Sequence, residues 1–145
     1  MKRAQSPTEY RLWYNNLIKT ISGNVLDVGK SQSWNYGFKT IDSNGDLCPD
    51  ITADICNSEI PSESYDTVLC NGVFEFVSSP QKMVNEVHRI LKPEGAAVFG
   101  FVGKDFPPYK HDWKFYEDNV DFGKFRIIKR KDFARKYHFI ICERS

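Results

Sequence analysis

The segment from Phe74 to Val102 constrains the fold of this chain more than any other. Phe74-Glu75-Phe76-Val77 leads into Ser79-Pro80, a cap and first-turn pair that opens a helix. Met83, Val84, Val87, Ile90 and Leu91 then recur at three- and four-residue intervals, which gathers them on one face. Lys92-Pro93-Glu94-Gly95 is a stop-and-turn signal. Ala96 to Val102 follows as a short apolar run of the kind that suits a buried strand. A helix that returns the chain to a buried strand implies a right-handed crossover in a parallel sheet.

The residues before this segment extend the same pattern. Val25 to Val28, Phe38 to Ile41, Ile51 to Ala53 and Tyr65 to Cys70 are short strand-like runs. Ahead of them, Ser6-Pro7-Thr8-Glu9 reads as a capped helix start, and Tyr10, Trp13, Tyr14, Leu17, Ile18 and Ile21 form one apolar stripe before Gly23-Asn24. Phe125 to Lys129 and Tyr137 to Cys142 read as a closing antiparallel pair. The expectation is an α/β three-layer sandwich, with a mostly parallel seven-stranded sheet and an antiparallel final strand. Gly29 to Phe38 is too short for a full crossover helix, so the first crossover helix is expected to be truncated, with Trp34 and Tyr36 filling the gap. At 145 residues the chain has room for one core. It divides into an N-terminal helix (1–23), a core (24–102), a substrate-side segment (103–123) and a terminal hairpin (124–145).

Open parallel sheets bind ligands beyond the carboxyl ends of their strands, so the residues at those ends carry the functional reading. Asp27-Val28-Gly29 closes the first strand, and a glycine there lets backbone approach a ligand. Asp42 closes the second, where a carboxylate can accept both hydroxyls of a ribose. Asp54 follows the third, placed to accept from an exocyclic amine, with Ile55 offering an apolar face to a purine; Asn71-Gly72 follows the fourth. Any single aspartate at such a position is ordinarily a turn or cap residue. Four strand ends in this order describe a nucleoside pocket. No Lys or Arg occurs from Thr40 to Gln81, which suits a ligand carrying a sulfonium and an ammonium.

Taken in order, these motifs resemble the class I, Rossmann-like, S-adenosylmethionine-dependent methyltransferases over roughly residues 24 to 118. Val25-Leu26-Asp27-Val28-Gly29 is similar to their first motif, Asp42 to their ribose-binding acid and Ala53-Asp54-Ile55 to their adenine segment. Ile60 to Asp66 is similar to their loop into strand four. Phe74-Glu75-Phe76-Val77 resembles their Leu-Glu-His-Val, and His88 to Gly95 their Arg-Val-Leu-Lys-Pro-Gly-Gly. His111-Asp112-Trp113 is similar to a His-Asp-Tyr segment of members that modify glycans and small molecules. The resemblance implies that Asp27, Gly29, Lys30, Asp42, Ser43, Asp54, Ile55, Asn71 and Gly72 hold the cofactor S-adenosyl-L-methionine. It implies methyl transfer to an O or N nucleophile of a small molecule, a glycan or a substrate delivered by a protein partner. Where the family carries Gly-x-Gly-x-Gly, Gly29 is followed by Lys30-Ser31-Gln32-Ser33. A catalytically inactive binding or scaffold protein on the same fold is therefore the alternative.

Rival motifs fail on spacing. Gly29-Lys30-Ser31 imitates the end of a P-loop, but Asn24 stands where that loop requires glycine, and the nicotinamide fingerprint is absent. His111 suits a general base for a hydroxyl or amine acceptor; a plain surface position is the ordinary outcome for a loop histidine. His88 and His138 fall in helix and strand patterns and read as structural. Net charge is +1, and in a tail with eight Lys/Arg from Lys124 to Ser145 the residues Lys129, Arg130, Lys131, Arg135 and Lys136 read as the solvated turn of the last hairpin, so nucleic acid is not an expected partner. Cys48, Cys56, Cys70 and Cys142 lack metal-ligand spacing, so no metal is expected, and Cys70 and Cys142 read as small buried hydrophobes. Free cysteines, no signal-like apolar start and no membrane span lead to an expected cytoplasmic location.

Overall fold

The computed structural model describes residues 9–30, 36–103, 109–133 and 137–145. Helix α1 spans Glu9–Ile18, followed by strands β1 (Val25–Val28), β2 (Lys39–Asp42), β3 (Ile51–Thr52) and β4 (Tyr65–Asn71). Helix α2 (Pro80–Ile90), strand β5 (Leu91–Val102), helix α3 (Trp113–Asn119) and strands β6 (Phe125–Phe133) and β7 (Tyr137–Arg144) complete the order. All seven strands join one sheet in the order β3-β2-β1-β4-β5-β7-β6. β1 to β5 pair in parallel, and β7 runs antiparallel to both β5 and β6. The mostly parallel sheet with an antiparallel last strand is thus the observed architecture.

Side chains alternate across this sheet, and the two faces bury different partners. Leu26, Val28, Val68, Cys70, Ala97, Phe99, Ile140 and Cys142 face Met83, Val84, Val87 and Ile90 of α2, with Tyr116 of α3. Val25, Leu69, Val98 and Phe139 face the other way, onto Tyr14 and Ile18 of α1. Helix α2 starts where its sequence dictates: Ser79 accepts from the Lys82 backbone at 3.3 Å, and Pro80 occupies the first turn. Cys70 and Cys142 are buried, whereas Cys48 is exposed. Among the described residues no helix is long and apolar enough to cross a membrane.

Several details depart from the expectations. Lys92 to Gly95 does not end an element before β5; it bulges within that strand, because Leu91 already faces Tyr65 while Ala96 faces Thr67. Glu94 sits at φ 68° inside this bulge. The regular part of α1 ends at Ile18 and tightens into i→i−3 bonds through Ile21. Helix α3 lies in a segment that carries no apolar periodicity, and its seven residues are too few to display one. Ser6, Pro7 and Thr8 of the expected cap, and Trp34 of the short crossover, lie outside the described residues. Gly29, Lys30 and residues 36–38 on either side of that crossover are not helical. Tyr36 packs on α1, its ring 5.7 Å from Tyr14 and its hydroxyl donating to Asn15 Oδ1 at 2.7 Å.

Phe139 is 1% exposed, with its ring centroid 4.9 Å from Trp13 and 5.5 Å from Tyr14. Phe139→Ala is expected to lower the unfolding free energy by about 3–5 kcal/mol, read from urea midpoints. A loss below about 1 kcal/mol would show that this ring does not anchor α1 to the sheet.

Candidate functional site

The sheet order reverses between β1 and β4. From β1 the chain runs outward to β2 and β3, and from β4 it runs the opposite way to β5. Loops leaving the carboxyl ends of β1 and β4 therefore part and leave a crevice. A cavity of about 890 Å³ opens there, and Asp27, Gly29, Lys30, Asp42, Ser43, Asp54, Ile55, Asn71 and Gly72 all line it. The four strand ends singled out in the sequence thus converge on one space.

Each end is held by local chemistry. Gly29 adopts φ +89°, its N–H donates to Ile41 O at 2.8 Å, and a Cβ there would meet Val73 Cγ1 at 2.9 Å. The next residue continues the clamp: Lys30 N donates to Asp42 Oδ2 at 2.9 Å, while Asn44 N donates to Asp42 Oδ1 at 2.9 Å. Asp42 thereby ties the β1 loop to the end of β2. Asp54 caps the short turn Ile55–Asn57, accepting from Cys56 N at 2.9 Å and from Ser78 Oγ at 3.0 Å. The Cys56 backbone bond, reinforced by Ser78, holds the Asp54 carboxyl below its usual range against the opposing effect of burial. Each carboxylate oxygen of Asp42 and Asp54 accepts one such internal bond and retains a second lone pair for a ligand. Gly72, at φ +70°, accepts from Tyr109 Oη at 3.3 Å through its carbonyl.

Asp27 differs from the other two aspartates. It alternates onto the α1 face of the sheet and is only 9% exposed. Among the described residues no hydrogen bond reaches its carboxylate. Burial raises its pKa from 3.8 to about 7, opposed by the charge of Lys30. A buried carboxylate of this kind favours either a proton or a cationic ligand beside it.

His111 stands apart from the cavity lining. Its Nδ1 lies 2.9 Å from Glu75 Oε1, its ring stacks on Phe115 at 3.8 Å, and its side chain is 40% exposed. Glu75 also accepts from Lys110 N at 3.0 Å. Burial would raise the Glu75 carboxyl, but bonds from Tyr116, His111 and the Lys110 backbone hold it below its usual range. An ionised carboxylate only accepts, so the Nδ1 facing it carries the hydrogen and Nε2 is left as the basic nitrogen. Phe76 and Tyr109, neighbours of this pair in sequence, do line the cavity, so the dyad sits at its rim.

Sequence reasoning missed the aromatic part of the lining. Tyr10 and Tyr14 of α1, Tyr36 and Tyr137 also face the cavity. In the sequence Tyr10 and Tyr14 merge into the apolar stripe of α1. The signal that could have separated them is chemical: tyrosine recurs where a buried stripe would more simply use leucine or phenylalanine.

Known proteins share the family and the fold. A family model described as a methyltransferase domain matches residues 20–99. An uncharacterized protein of Methanocaldococcus jannaschii, MJ1123, is 39% identical over 62 residues, a match covering 39% of this chain and 30% of that protein. The chain therefore aligns with less than a third of the length of that curated relative. Among solved structures, the PH0226 protein of Pyrococcus horikoshii superposes with TM-score 0.73 at 16% identity, covering 94% of this chain and 92% of that one. A SAM-dependent methyltransferase of Aquifex aeolicus superposes with TM-score 0.69 at 16% identity, covering 90% and 89%. At these identities the two structures show a shared fold.

The Asp27 geometry makes a pH prediction. Between pH 3.8 and about 7 the folded chain binds a proton that the unfolded chain has released. The resulting stabilisation is full below pH 3.8 and is lost as the pH rises through 7, a change of up to roughly 4 kcal/mol. Asp27→Asn is expected to remove this slope, so the variant gains on the parent between pH 4 and pH 8. Urea unfolding at both pH values measures it; parallel losses in the two proteins would show that Asp27 ionises like an ordinary carboxylate.

Proposed function

The chain belongs to the methyltransferase-domain family, and on that premise we propose that it transfers a methyl group from S-adenosyl-L-methionine to an O or N nucleophile. The acceptor is a small molecule, a glycan or a substrate presented by a protein partner. The observation that carries this reading is the convergence of Asp42, Asp54 and the Gly29 bend on one cavity at the switch point of the sheet.

The lining fits an adenosyl donor. Asp42 has a free lone pair on each oxygen for vicinal ribose hydroxyls, in an orientation fixed by two backbone N–H groups. Ile55 presents an apolar surface for a purine, and Asp54 stands ready to accept from an exocyclic amine. Gly29 and Gly72 keep side chains out of the space between the β1 and β4 loops, and Lys30, Ser43 and Asn71 complete the cradle. Asp27 lines the same cavity two residues before the glycine bend, and the low polarity around it strengthens its attraction for a positive charge.

Bound there, S-adenosylmethionine supplies a methyl group already activated by its sulfonium. The protein therefore has to align the acceptor and exclude water, and no protein nucleophile is needed. His111 is the residue we assign to proton removal from the acceptor. Glu75 fixes its ring and tautomer, and Nε2 is the atom that takes the proton.

Isothermal titration with S-adenosylmethionine tests the reading. The parent protein is expected to bind in the micromolar range, and Asp42→Ala to weaken binding at least ~10-fold, about 1.4 kcal/mol, with its circular dichroism unchanged. No heat at millimolar donor would sink the enzymatic reading and leave a scaffold or binding role for the fold.

A further inference from the structure

The cavity has two chemically distinct ends. Asp42, Asn44, Leu47, Ala53, Asp54 and Ile55 line the end under β2 and β3. Toward β7 the lining turns aromatic, with Tyr10 from α1, Tyr36, Tyr109 and Tyr137, and with Phe76 at the mouth. Tyr10 and Tyr137 stack at 3.5 Å, and Phe76 meets Tyr109 edge-on at 5.6 Å. Phe76 is 61% exposed, an unusual position for a phenylalanine that only packs.

We propose, resting on the donor-binding reading above, that this aromatic end is the acceptor compartment and that it binds a small amine in its ammonium form. Aromatic faces attract cations through the ring quadrupole, and the effect grows where water is excluded. The charges lining the cavity point the same way. Among the described lining residues Lys30 is the one cation, against the carboxylates of Asp42 and Asp54 and an Asp27 that burial leaves only half ionised near pH 7. A phosphate or carboxylate substrate would therefore meet a net negative cavity with a single counter-charge. The phenols add no charge of their own: burial raises the Tyr36 hydroxyl to about 12 and pushes those of Tyr109 and Tyr137 up as well. They remain neutral dipoles that flank an apolar, ring-walled space. Glu75 adjoins Phe76 in the chain and His111 lies two residues beyond Tyr109, so the pair assigned to proton removal flanks the aromatic lining.

A set of three isosteres tests the inference with a binding readout. Benzylammonium, benzyl alcohol and benzoate are titrated at pH 7 into the full chain, with and without saturating S-adenosylhomocysteine, following aromatic fluorescence and ligand-observed magnetic resonance. Benzylammonium is expected to bind at least ~5-fold more tightly than benzyl alcohol, with benzoate weakest. Tyr137→Phe, which keeps the ring, is expected to retain this preference, and Tyr137→Leu to lose it while binding S-adenosylhomocysteine as before. Tyr109→Leu, in a loop, supplies the same comparison where Tyr137→Leu does not fold. Equal or tighter binding of the alcohol or the acid overturns the proposal, as does an unchanged preference in the leucine variants. Ammonium selectivity in a protein that fails to bind S-adenosylhomocysteine upholds the cation site and sinks the donor reading instead. Donor binding without ammonium selectivity does the reverse.

Discussion

Strand β1 is the pivot of this molecule. Its four residues are all buried, and it pairs with β2 on one side and with β4 on the other. Because both neighbours are parallel to it, the three strands deliver their carboxyl ends to the same edge, with Asp42 and Asn71 at the ends of β2 and β4 and Asp27 one residue short of the end of β1. Parallel pairing is possible only with crossovers that cover the sheet, so the burial of β1 and the assembly of the site have one cause. The bond from Gly29 N to Ile41 O and the clamp from Lys30 N to Asp42 then lock the exit of β1 to the exit of β2.

The sheet and the acidic side of the site were legible because both follow from short-range rules. Val25 to Val28 and Tyr65 to Cys70 are apolar runs bounded by turn residues, and a strand end in a parallel sheet is a ligand position whatever its ligand. The aromatic side obeys no such rule. Tyr137 reaches the cavity because β7 inserts antiparallel beside β5, and Tyr10 because α1 lies over β7. Both facts are tertiary, and no local pattern encodes them. Helix α3 escaped for a different reason: seven residues give less than two turns of periodicity. The bulge at Lys92 to Gly95 carries a stop-and-turn signal because turn chemistry cannot distinguish a chain that leaves the sheet from one that detours within it.

Helix α3 connects the rim of the cavity to the far hairpin. Tyr116 hydrogen-bonds Glu75 and packs its ring 5.1 Å from Phe74, while Trp113 stacks on His138 at 4.3 Å. Glu117 pairs with Arg130 of β6, and the buried His138 pairs with Asp132. Several charges of the basic hairpin are thus engaged within the fold, Arg126 with Glu143 included. The segment that positions His111 is braced by the same residues that hold the last two strands together.

The contrasting placements of the cysteines have a practical consequence. Burial raises the Cys70 thiol far above its ordinary range, with the charge of Asp27 adding to it, and pushes Cys142 up to about 12. Nucleophilic sulfur is the thiolate, so neither group reacts while the protein stays folded. Cys48 sits exposed on a left-handed turn close to the β2 end of the crevice. A maleimide dye would therefore reach Cys48 beside the ligand opening first and the half-buried Cys56 after it, and the delayed labelling of Cys70 and Cys142 would clock the global opening of the sheet.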